Sequence, residues 1–131
     1  MYDLRTTMAM SGGRAHALTR AEVKAWHGSE CVKVTRAANN SWRVDLEHGG
    51  VAFVHIRTEV VRVMPGGTVI LNSGGWHTMT TKGRLNRFQG LGAVYSRRGQ
   101  WKVATSREPD GVPFVDGMRI RPDGVVIYKE G

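Results

Sequence analysis

The chain has one cysteine, Cys31, which excludes an internal disulfide and a thiolate cluster for zinc. It also lacks long apolar runs, having only stretches of a few residues where a bilayer-spanning helix needs roughly 20. "MYDLRTTMAM" places Asp3 and Arg5 where a secretory signal would carry an uninterrupted apolar region, so a cytoplasmic setting without membrane contact is expected. Acids are scarce too, with 11 Asp and Glu against 19 Lys and Arg and a formal net charge of +8. Such an excess draws polyanions and raises the rate of meeting them. What is present is enough to fold: 131 residues, 40% of them hydrophobic, can bury an ordinary core.

The chain resembles itself. Displaced by 62 positions, Met10–Cys31 lies on Asn72–Ala93 without a gap, and Ser11, Gly12, Gly13, Thr19 and Gly28 meet identical residues at Ser73, Gly74, Gly75, Thr81 and Gly90. Ordinary composition would give about one or two identities over such a span. Downstream, "SWRVDLEHGGVAFV" resembles "QWKVATSREPDGVPFV", and "RVMPGGTVIL" resembles "RIRPDGVVIY". The expected fold is α+β, mainly antiparallel β, internally duplicated as a β-(GG loop)-α-β-β-β unit with two short helices and a pseudo-twofold relation. A single domain of two repeats, about 1–66 and about 67–131, follows.

Local chemistry places the elements. "TRAE" at Thr19–Glu22 is a capping box and Gly28 a left-handed stop. Thr80 or Thr81 is expected to cap the second helix, and Gly90 to end it. "CVKVTR" with "WRVDLE", and "AVYSR" with "WKVAT", read as hairpins; "VMPGGTVIL" and "IRPDGVVIY" read as hairpins whose proline presets the turn and whose glycine takes the positive φ. Strands around Leu4–Met10 and Thr68–Leu71 should each lead into a glycine loop. Trp26, Phe88, Trp42, Trp101, Phe53 and Phe114 match between copies and are expected in the core.

"NSGGWHTMTTKGRLNRF" is the candidate binding segment. Ser73, Gly74 and Gly75 followed by a threonine-rich helix start offer amides, hydroxyls and a positive dipole end to an anion, with Thr78, Thr80, Thr81, Lys82, Arg84 and Arg87 as further contacts. The spacing is not that of a Walker loop. Trp76 faces Arg14 in the repeat alignment, so the fold does not demand an aromatic there, and the indole can stack on a base or plug its own loop. Arg97, Arg98 and Lys102 extend the basic set onto a hairpin tip. No metal or cofactor is expected, and no catalytic residue is assigned, His77 being the candidate for a hydrolase. Asp45, Glu47 and Glu59 are expected on solvated strand faces.

The segment "LNSGGWHTMTTKGRLNRF", with "GQWKV" and "VPFVDGMRIRPDG", resembles small uncharacterised accessory proteins of tailed bacteriophages. The resemblance covers Thr68 to Gly124 and implies action in the host cytoplasm, with no established activity attached. Three functions follow as expectations. The first is a non-enzymatic binder of a phosphate-bearing ligand, most simply nucleic acid. The second is a counter-defence or takeover protein that sequesters a small nucleotide or blocks a host protein, and the third is a hydrolase using His77.

Overall fold

The computed structural model of the chain describes residues 16–128. Helix α1 (Arg20–His27) precedes strands β1 (Cys31–Ala38), β2 (Ser41–Leu46), β3 (Val51–His55), β4 (Thr58–Val63) and β5 (Val69–Leu71). Helix α2 (Met79–Arg87) precedes β6 (Ala93–Arg97), β7 (Gln100–Ala104), β8 (Val112–Pro113), β9 (Arg119–Ile120) and β10 (Val126–Ile127). The strands form a seven-stranded sheet in the order β1-β2-β3-β4-β5-β9-β10 and a three-stranded sheet β6-β7-β8, antiparallel at every pairing. This is the expected α+β, mainly antiparallel fold with two short helices. The expected first strand and the loop at Ser11–Gly13 lie outside the described residues.

The capping box of α1 is in place: Glu22 N–H donates to Thr19 Oγ1 at 3.2 Å and Thr19 N–H donates to Glu22 Oε1 at 2.9 Å. Gly28 ends that helix at φ 58°, where a Cβ would be strained. The second helix departs from expectation at both ends. Its N-cap is Thr78, whose hydroxyl accepts from Thr81 N–H, and it stops at Arg87 with Phe88 as C-cap, two residues before Gly90. Three nearby threonines could each have capped; Thr78 wins because its backbone is extended at the chain's entry to the helix. Side chains then tie α2 to β6: Asn86 Nδ2–H donates to Val94 O, and Val94 N–H donates back to Asn86 Oδ1.

Alternation along the strands sends side chains to opposite faces of the large sheet. Val34, Val44, Ala52 and Val54 pack under α1 with Leu18 and Val23, edged by Trp26 and Trp42. Phe53 points the other way, stacked on Phe88 with centroids 4.5 Å apart, into a core of Val61, Leu71, Leu85, Val103 and Met118 edged by Trp101. Phe114 is buried in that second core, and the other five matched aromatics, expected in the core, are partly buried against the two cores.

A bulge in β4 decides which side its polar residues take. Phe53 pairs with Val61 and Val54 with Glu59, leaving Val60 as the extra residue. Val60 and Val61 therefore both enter the core on the α2 side, and Glu59 and Arg62 emerge together on the α1 side. There His27 Nδ1–H donates to Val23 O and Nε2–H to Glu59 Oε1, each at 2.9 Å. Arg62 grips the same carboxylate through Nε (2.8 Å) and Nη2 (2.9 Å) and reaches Glu30 through Nη1 at 2.9 Å. Glu59 was expected on a solvated face; it is 1% exposed and His27 is 0% exposed, because the bulge turns the carboxylate onto α1. Burial raises the Glu59 pKa, but hydrogen bonds from His27 and Arg62 and the Arg62 charge outweigh it and hold the carboxyl below its ordinary range.

Candidate functional site

The α2 side of the sheet carries a cleft of about 460 Å³. Its floor is made by two tight turns, Asn39–Asn40 between β1 and β2 and Ile56–Arg57 between β3 and β4, with His55, Thr58 and Val60 beside them. Its wall is the entry to α2, contributing Ser73, Trp76, Thr78, Thr80, Thr81 and Arg84. The turns are locked to each other by Ile56 N–H donating to Asn40 O at 2.8 Å. Both residues sit in the left-handed region, Asn40 at φ 55° and Ile56 at φ 56°. For a β-branched residue that conformation costs roughly 1–3 kcal/mol, and strain of this kind gathers at functional sites.

The amides of the glycine loop, expected to face an anion, are engaged within the protein, and the loop supports the wall. Ser73 N–H and Oγ–H both donate to Asp116 Oδ1, at 2.7 and 2.8 Å. Gly74 N–H donates to Asn72 Oδ1, Gly75 N–H to Ser73 Oγ and Trp76 N–H to Ser73 O. Gly74, at φ 64°, passes so close to Thr58 that a Cβ would run into the threonine side chain, whereas nothing lies within 4 Å of a Cβ at Gly75. Gly74→Ala is expected to destabilise the fold by about 1–3 kcal/mol, and Gly75→Ala by less, in urea unfolding.

Of the residues singled out in the sequence, Ser73, Trp76, Thr78, Thr80, Thr81 and Arg84 line the cleft. Gly74 and Gly75 shape the loop behind it. His77 does not line it: the imidazole lies flat on Trp101, centroids 4.4 Å apart at 11°, and edge-on to Phe114. A ring stacked there faces an aromatic cluster, and among the described residues no carboxylate is hydrogen-bonded to it. Lys82 and Arg87 are also off the cleft. Arg97, Arg98 and Lys102 line, with Gln100, a separate hollow of about 350 Å³ at the β6–β7 hairpin.

Sequence reasoning missed the floor. Arg57, Asn39 and Asn40 come from turns and His55 from the end of β3, and the only signal was a basic residue and an Asn-Asn pair in hairpin connections. The electrostatics are one-sided: Arg57 and Arg84 line the cleft, and among the described residues no carboxylate does. Arg84 donates from Nη2 to Asn39 O at 3.3 Å, and its Nε is buried without a hydrogen-bond partner. An unmet buried donor costs about 1–3 kcal/mol until an acceptor arrives. Thr81 Oγ1 accepts from Thr78 Oγ1 at 3.0 Å and keeps its own hydrogen to give.

His55 is held neutral. Burial first, then the Arg84 charge, push its pKa down from 6.5 to about 4. His55 Nδ1 is hydrogen-bonded to Ser41 Oγ at 2.8 Å, and Ser41 Oγ also reaches Asn39 O at 3.2 Å, which ties the ring to the Asn39–Asn40 turn. Because the folded pKa lies below the unfolded value, the neutral ring's contribution to stability is complete above pH 6.5 and is lost as pH falls towards 4. The melting temperature should fall through that window, and His55→Asn, which keeps a hydrogen-bonding side chain beside Ser41 but does not titrate, should flatten the upper part of the slope.

Residues 16–121 match the family described as Kyanoviridae Gp96 protein, well over half of the chain. The chain belongs to that family, a family of phage proteins. No curated protein and no solved structure matches it.

Proposed function

We propose that this phage protein is an accessory protein that binds a phosphate-bearing ligand, most simply nucleic acid, in the cleft between the two turns and α2, without catalysis, in the host cytoplasm. The observation that carries the reading is the buried Arg84 Nε with no acceptor, in a cleft that also presents Arg57 and no carboxylate among the described residues. An exposed indole at its edge, Trp76 at 45%, adds a stacking surface. The basic hollow at Arg97, Arg98 and Lys102 would hold a second stretch of backbone. Anisotropy of a labelled single-stranded oligonucleotide tests it. Two phosphate contacts give a slope of log K against log salt of about −1.4, steeper if the hairpin joins. No association at low salt would refute the reading.

We also propose that the two halves descend from one duplicated module. Val23 and Leu85, matched by the 62-residue displacement, are both fully buried on their helices. His27 and Gln89, also matched, each donate back to the carbonyl four residues earlier, at Val23 and Leu85. Less diverged family members should show higher identity between halves at this displacement; halves that never align in any member would contradict the proposal.

A further inference from the structure

We infer that the cleft is a one-nucleotide site: it takes a single phosphorylated nucleoside unit, with the base on Trp76 and the phosphate on Arg57 and Arg84. This rests on the phosphate-binding reading and narrows it. About 460 Å³ lies within the range of pockets that enclose one small molecule and is far too small to seat a duplex.

The wall divides its chemistry along the axis of α2. Trp76 lies ahead of the N-cap, Thr78, while Thr80 and Arg84, spaced i,i+4, share one flank with a rise of about 6 Å between them. Indole and guanidinium are therefore successive stations, the order in which a nucleotide presents base, sugar and phosphate. Inorganic phosphate alone would leave the apolar surface of Ile56 and Trp76 uncovered.

His55 adds directionality. It lines the same cleft with Nδ1 already bonded to Ser41 Oγ, and a neutral ring gives a second phosphate no charge to pair with, whereas it can share a hydrogen bond with a sugar hydroxyl. The hydrogen bond between the two left-handed turn residues sets the floor before any ligand arrives, so little ordering is left for binding to pay.

Calorimetry on the full chain tests this with the four common nucleoside 5′-monophosphates, their nucleosides, inorganic phosphate and a single-stranded octanucleotide. The expected result is one-to-one binding of at least one monophosphate, at least about tenfold tighter than its nucleoside or phosphate. Trp76→Ala should weaken that monophosphate about tenfold or more with melting temperature retained, and Trp76→Phe should restore most of the loss. An octanucleotide that binds while every monophosphate fails overturns the one-nucleotide site and leaves the phosphate reading standing. Phosphate binding as tightly as the best monophosphate does the same. If no probe binds, both readings fall together.

Discussion

Glu59→Ala lowers the free energy of unfolding by about 3–5 kcal/mol, the cost of removing one partner from a buried ion pair. The carboxylate accepts from His27 and twice from Arg62, and it joins α1 to β4 at the bulge. Its loss removes the acceptor of a fully buried imidazole N–H and of two N–H groups of Arg62. Glu59→Gln keeps the shape and one acceptor oxygen, so its effect should be smaller but still large. Arg62→Ala should cost less than Glu59→Ala, since His27 still meets the carboxylate. The same network sets an acid limit: the folded pKa of Glu59 is depressed, so its stabilisation is present above the ordinary carboxylate range and disappears as pH falls through the folded value. Urea unfolding at neutral pH and in mild acid reads both effects.

Arg84→Ala weakens ligand binding by about tenfold to a hundredfold, the worth of a charged hydrogen-bond donor at roughly 1.5–3 kcal/mol. The side chain makes a 3.3 Å contact to Asn39 O but also buries an unmet Nε, so stability should hold or rise slightly. Arg84→Lys keeps the charge and loses the planar fork, and should recover only part of the affinity. Combining it with Arg57→Ala should remove measurable binding. Arg98→Ala, at the separate hairpin hollow, should make the salt slope shallower and lower the affinity chiefly at low salt.

Signals carried within a few residues were readable from sequence. The Thr19–Glu22 box, the two hairpins with "PGG" and "PDG" turns, and the alternation that buries Val44 and Val54 depend on neighbours in the chain. The second helix was misplaced because Thr78, Thr80 and Thr81 have the same capping chemistry, and only the path of the entering backbone selects among them. Long-range partners were invisible. Nothing local to Glu59 announces His27, 32 positions away, and nothing near Ser73 announces Asp116, 43 positions away. That second bond anchors the glycine loop to the Asp116 turn, and the sequence around Ser73 carries no sign of it. Half of the cleft was legible because α2 supplies it from one segment; the other half comes from turns brought in by the sheet.

The central claim is that ligand phosphate goes to the Arg57–Arg84 cleft, and a nitrogen–proton NMR titration of the labelled protein with a single-stranded oligonucleotide tests it most directly. The account expects the largest shifts at the Trp76 indole N–H, the Arg84 Nε–H and the backbone of Asn40, Ile56 and Thr80. Shifts confined to Arg97, Arg98 and Lys102, with those cleft signals unmoved at saturation, would contradict it.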